Sequence, residues 1–165
     1  MTELRINVAD LLHQPGARRS VRLETTLPDF AGSAARLDTG DPVTVDVVFE
    51  HVADGIVVHG DVRGTWRASC SRCLRELTQP FGVVVRELYE RKPLEGETYL
   101  LADDVVDLEP ALRDAILPEL PTAPLCRDDC LGICGRCGAD RNETRCDCAV
   151  SEPDPRWAAL AELEL

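Results

Sequence analysis

The chain has 165 residues, of which 44% are hydrophobic and only 4% aromatic, and it carries a formal charge of −12. That length buries about two thirds of the unfolded surface, in a core drawn from Val, Leu, Ile and Ala. The charge excludes a protein held to nucleic acid by its overall field, so any such contact needs a local basic patch.

Taken in order, the residues predict an α+β protein built mainly on antiparallel sheet. Residues 4–8 read as a short strand, 20–24 as a second, and 25–42, punctuated by Pro28, Gly32, Gly40 and Pro42, as loop. From Val43 the alternation is cleaner. Val43, Val45, Val47 and Phe49 face one way. After a turn at Ala53-Asp54-Gly55, the positions Ile56, Val58, Val62, Trp66, Ala68 and Cys70 share one parity, with Gly60 and Gly64 marking bends. This period of two predicts a long β-hairpin with one buried face, and it points Cys70 inward at the strand's end.

Another strand is expected at 81–90, then an acidic loop at 93–104 and a short strand at 105–107. A helix is predicted from about 108 to 117, N-capped by Asp107, with Leu108, Leu112, Ala115 and Ile116 on its apolar face. Pro118, Pro121 and Pro124 stop it and hold the chain extended; a stiff approach segment is the reading, rather than a P-x-x-P ligand. Asp154-Pro155 caps a tail helix carrying Trp157, Leu160 and Ala161. Three regions are expected: a β-rich 1–120 with one helix, a cysteine-rich 121–150 packed on it, and the tail helix 151–165.

The eight cysteines carry the chemistry. Cys70 and Cys73 form a lone C-x-x-C, whereas Cys126, Cys130, Cys134, Cys137, Cys146 and Cys148 crowd into one stretch. Clustered pairs let thiolates converge on a soft tetrahedral ion at about 2.3 Å, and eight cysteines make two zinc sites with none left over. A disulfide framework suits secreted chains, but the start M-T-E-L-R-I-N-V-A-D has no basic or apolar leader region, which points to a reducing cytoplasm. A thioredoxin-type pair would open a helix, and Cys70 instead follows a strand; iron–sulfur ligation uses four cysteines too and ranks below zinc. Gly138 after Cys137 permits the positive φ of a zinc knuckle. The preferred pairing is local, Cys134, Cys137, Cys146 and Cys148 in one C-terminal site and Cys70, Cys73, Cys126 and Cys130 in the other. Exchange of the two C-x-x-C partners remains open.

Four sulfurs per ion leave no open position for catalysis. His13, His51 and His59 lack ligand spacing, and no nucleophile–base pair or phosphate-cradling loop stands out. The reading is a non-enzyme with no small-molecule substrate and no membrane span, since no apolar run approaches ~18 residues. Residues 63–92 hold seven Arg or Lys against three acids, a local +4 in a chain otherwise at −16. Arg63 and Arg67 are about 13 Å apart on one strand face, and Arg72 and Arg75 flank Cys73. These four are the candidate contacts for a phosphate backbone.

The order Cys70-Ser-Arg-Cys73-Leu, Val106-Asp-Leu-Glu-Pro110, Leu120-Pro121, then C-x3-C-x-G-x-C-x-x-C-G and a closing C-x-C resembles the YceD family, the large ribosomal RNA subunit accumulation proteins. The tail Asp154-Pro-Arg-Trp-Ala-Ala-Leu160 adds to the likeness, which runs from about residue 43 onward. The resemblance implies metal binding, contact with nucleic acid, and a role with large-subunit rRNA or a pre-ribosomal particle. An acidic chaperone for a basic ribosomal protein is the second reading, which suits −12 better than RNA binding does. A metal-dependent enzyme is the weakest.

Overall fold

The computed structural model of the chain describes residues 3–27, 30–148 and 156. Its strands are β1 (Arg5–Asn7), β2 (Arg18–Thr25), β3 (Ala35–Arg36), β4 (Val43–Val52), β5 (Gly55–Ser69), β6 (Glu76–Glu90), β7 (Tyr99–Ala102) and β8 (Val105–Asp107). They lie in one sheet in the order β1-β8-β7-β6-β5-β4-β2, with β3 paired to β5 beyond the end of β4. Only the β6–β7 pairing is parallel; the rest are antiparallel. The protein is mostly sheet.

The centre of that sheet follows from the alternation of its residues. Val43, Val45, Val47 and Phe49 of β4 and Ile56, Val58 and Val62 of β5 are each at most 1% exposed. Burying each such side chain contributes about 1.5–3 kcal/mol, against the entropy of ordering it. β4 and β5 pair from Thr44↔Arg63 to Val52↔Gly55 across a turn at Ala53-Asp54. Gly60 interrupts the inward row because a Cβ there would collide with the Asp46 carbonyl oxygen.

β5 makes its longer partnership on the other side. It pairs with β6 from Ile56↔Tyr89 to Ser69↔Glu76, so residues 70–75 are the hairpin's end loop. The sequence predicted β6 to begin at 81; the structure starts it at Glu76 and runs it through Pro80, opposite Thr65. The polar run Glu76-Leu-Thr-Gln79 and the proline hid a strand that the neighbouring β5 supports. The loop expected at 93–104 likewise contains β7, whose four residues are too few to show a period and are held by β6 and β8.

The helix α1 (Leu108–Ile116) begins where Asp107 accepts a hydrogen bond from the Glu109 N–H at 3.1 Å. Leu108, Ala111, Leu112 and Ile116 are buried, and a 3-10 turn, Leu117–Glu119, follows at Pro118. α1 packs against β6. Tyr89 of β6 donates its hydroxyl to the Asp107 carbonyl at 3.1 Å, and Tyr99 donates to Asp114 at 2.7 Å. No described helix is long and apolar enough to cross a membrane. The predicted tail helix lies outside the described residues, Arg156 aside.

Candidate metal centres

The structure gathers the cysteines into two groups of four: Cys70, Cys73, Cys126 and Cys130, and Cys134, Cys137, Cys146 and Cys148. Within each group all four sulfurs lie within 4.8 Å of one another. A tetrahedral zinc with 2.3 Å bonds separates its sulfurs by about 3.8 Å. Cys70 Sγ is 3.9 Å from Cys130 Sγ, and Cys73 Sγ is 3.6 Å from Cys126 Sγ, so the first group is already at that spacing. The donor set and its dimensions fit a four-thiolate ion. Among the described residues, neither group includes a histidine or carboxylate.

Both C-x-R-C segments fold into the same turn. In the first, the Cys70 N–H donates to the Arg75 carbonyl at 2.8 Å and the Leu74 N–H to the Cys70 carbonyl at 2.9 Å. In the second, the Cys134 N–H donates to the Ala139 carbonyl at 2.8 Å and the Gly138 N–H to the Cys134 carbonyl at 2.9 Å. The closing residue takes positive φ in each, 62° at Leu74 and 74° at Gly138. The turn aims amide hydrogens at its first sulfur. N–H groups of Cys73, Arg72 and Cys126 bring the Cys70 thiol down to about 6 against the opposing effect of burial. Those of Cys137 and Arg136 bring Cys134 down to about 6.

Crowding acts the other way on the partners. Burial and the neighbouring Cys130, Cys73 and Cys70 push Cys126 up to about 12, and Cys137 with Cys134 push Cys148 up to about 12. Each group therefore sets one thiol lowered by amide hydrogens beside another raised by its crowded neighbours, Cys126 in the first group and Cys148 in the second, and a bound cation would offset that crowding.

The chain reaches the first centre through its proline-rich approach. The Ser71 N–H donates to the Pro124 carbonyl at 2.8 Å and the Cys126 N–H to Cys70 Sγ at 3.4 Å. Cys126 and Cys130 sit on a tight turn closed by the Cys130 N–H on the Arg127 carbonyl at 3.1 Å, which lets both sulfurs face the hairpin.

The four candidate arginines have different surroundings. Arg63 is open, and among the described residues its one ion-pair partner is Asp61 of its own strand at 4.0 Å. Arg67 forks onto both oxygens of Asp41, at 2.9 and 3.0 Å. Arg72 donates to the Asp128 and Cys130 carbonyls at 3.1 and 3.0 Å, clasping the loop between Cys126 and Cys130. Arg75 pairs with Glu143 at 2.6 Å and Asp140 at 3.6 Å, in the second centre's loop. Sequence reasoning offered all four as phosphate contacts; two of them, Arg72 and Arg75, also tie the cysteine segments together. It also missed Asn142, which touches Cys130 Sγ at 3.4 Å. A lone Asn in a polar loop carries no signal of that in its spacing.

The comparisons with known proteins agree with the motif order. The family model described as "Large ribosomal RNA subunit accumulation protein YceD" matches residues 58–164. The chain belongs to the YceD family. An uncharacterized protein of Mycobacterium tuberculosis is 31% identical over 96% of this chain and 80% of its own length. The chloroplastic YCED homolog 1 of Arabidopsis thaliana, named as a large ribosomal RNA subunit accumulation protein, is 33% identical over 35% of the chain and 18% of its own length. The YlbN protein of Bacillus subtilis is 27% identical over 62% of each chain. No solved structure matches.

Proposed function

We propose that this YceD-family protein is a non-enzymatic, zinc-binding ribosome-biogenesis factor that supports accumulation of large-subunit rRNA in the cytoplasm. The family membership carries the reading, since the family's description names that RNA. The donor chemistry supports the metal: thiolates select a soft ion, and tetrahedral spacing favours zinc. A shell closed by four protein sulfurs makes such an ion a staple rather than a catalyst.

The RNA contact of this reading runs through arginine. Arg63 is available as it stands, whereas Arg67, Arg72 and Arg75 would first have to leave their present partners. Arg136, Arg141 and Arg145 of the second centre are exposed and hold no ion pair among the described residues, which makes them the better companions of Arg63. Cells lacking the protein should show a lowered ratio of large- to small-subunit rRNA. A wild-type copy should restore it, and a copy with Arg63, Arg136, Arg141 and Arg145 changed to Gln should not, although it keeps both ions. A normal ratio in the deletion strain would sink the biogenesis role, and full rescue by the variant would sink the arginine contact.

The charge of −12 favours one second reading, an acidic chaperone for a basic large-subunit ribosomal protein. Two filled four-thiolate sites would make the chain more negative by about 4. Pull-down with and without nuclease separates the two, because a protein client survives the digestion.

A further inference from the structure

A side chain of the second centre's loop reaches a sulfur of the first. Asn142 lies in the loop between Cys137 and Cys146, yet its Nδ2 donates to Cys130 Sγ of the other centre at 3.4 Å. All four hydrogen-bonding positions of its amide are used. Nδ2 also donates to Asp140 Oδ1 at 2.6 Å, and Oδ1 accepts from the Leu131 N–H and from Arg127, both at 2.8 Å. Asp140 takes the Asn142 backbone N–H as well, at 2.8 Å, and faces Arg75 at 3.6 Å.

The backbone locks the same junction. The Ile133 N–H donates to the Arg72 carbonyl at 3.0 Å and the Arg141 N–H to the Gly132 carbonyl at 2.9 Å. Gly132 has φ 72°, and a Cβ there would sit 2.9 Å from the Arg72 carbonyl oxygen. These contacts hold the amide against the sulfur while its loop stays closed, and an ion in the second centre would close that loop through its four cysteines.

We propose that Asn142 is an outer-sphere positioning residue of the Cys70, Cys73, Cys126 and Cys130 centre, supplied by the loop of the second centre, so that filling the second centre tightens the first. The inference rests on the metal reading given above. An amide N–H on a thiolate spreads its charge and fixes its direction, and outer-shell partners of this kind change metal affinity roughly 10–100-fold. The chemistry requires the donor, not the bulk of the side chain.

The test is metal release from the full chain to a chromogenic chelator, resolved into two phases. A Cys134→Ser, Cys137→Ser variant, left with one ion, assigns the phase of the first centre. Asn142→Asp keeps the acceptor and removes the donor; Asn142→Leu removes both without adding charge. Each should speed release from the first centre about 10–100-fold and, by linkage, ease release from the second by no more than the same factor. The double cysteine variant should show a similar acceleration, and adding Asn142→Leu to it should change little further. Wild-type release from the first centre in both Asn142 variants, or effects that multiply, would overturn the coupling alone. A wild-type chain that binds no metal would overturn the metal reading and the coupling together.

Discussion

The two cysteine turns share their hydrogen bonds but not their surroundings. The first closes the β5–β6 hairpin, and Cys70, Cys73 and Cys130 are 0%, 8% and 3% exposed beside Leu77. Among the described residues the second is flanked by no strand, just an isolated bridge between Ile133 and Asp140; Cys137 is exposed and its three partners are half-buried. A ladder of paired residues orders two ligands of the first centre before any ion arrives. In the second, all four ligands come from irregular chain, and ordering it costs about 1–2 kcal/mol per residue. With an ion bound, the same turn would be a cross-link in one place and the organiser of its segment in the other.

Metal removal should break that comparison most visibly. Structural zinc supplies about 10–16 kcal/mol in isolated finger peptides, enough to decide whether such a segment folds. Chelation should strip hydrogen-exchange protection from the amides of Cys134, Gly138 and Thr144, while those of β4, β5 and β6 keep most of theirs. Equal loss in both regions would mean that the sheet depends on the ions as much as the loops do.

Truncation sharpens the same contrast. A chain ending at Ile133 retains Cys70, Cys73, Cys126 and Cys130, so it should purify with one ion by elemental analysis. It lacks Asn142, and that ion should leave faster than from the full chain, by about the 10–100-fold of a lost outer-shell partner. No ion at all in this chain would place the first centre's integrity in the second.

Much of this contrast was legible in the residues. Parity along Ile56, Val58 and Val62 carried through to Cys70, and period-two burial is a strong local signal. The spacing of Cys134, Cys137, Cys146 and Cys148 suggested a local group because a short loop lets the chain return. The start of β6 was not legible, since Pro80 reads as a breaker and only pairing with the long β5 makes Glu76–Gln79 a strand. Nor were the roles of Arg72, Arg75 and Asn142 legible. Their partners lie 56–58 and 65–68 residues away for the arginines, and 12 for the contact of Asn142 with sulfur, with no periodic pattern to connect them.

Swapping the closing residues of the two turns tests how alike they are. Leu74 holds φ 62° although it is not glycine, and its side chain is 61% exposed, so little packing offsets the strain. Left-handed backbone costs a non-glycine residue about 1–2 kcal/mol. Gly138→Leu should therefore destabilise the second turn by about that amount. Leu74→Gly should be neutral or stabilise by up to ~1 kcal/mol, the relief being partly offset by the unfolded-state freedom of glycine. Thermal unfolding of the metal-loaded variants reads both. A large loss in Leu74→Gly would show that Leu74 is held by contacts rather than tolerated by the turn.

The smallest expected effect concerns how the strand leading into the first turn is tethered. Arg67, three residues before Cys70, forks onto Asp41, whereas on the approach to the second turn Arg127 pairs with Asp129 through a single contact at 3.2 Å. The hydrogen bond from Arg67, reinforced by its charge, holds the Asp41 carboxyl below its ordinary value. A carboxylate depressed in the folded state stabilises the fold above its unfolded pKa, and that contribution is lost as pH falls through the folded pKa. The pair is only half-buried, and solvent screening keeps the gain at neutral pH small. In Arg67→Gln, the Asp41 titration followed by NMR should move up toward the ordinary carboxylate range. The wild type should unfold at a slightly higher temperature than the variant near pH 7, and the gap should close as pH falls below the ordinary aspartate range of about 4. A gap that persists in acid would mean that Arg67 stabilises β5 through its stem packing, not through its charge.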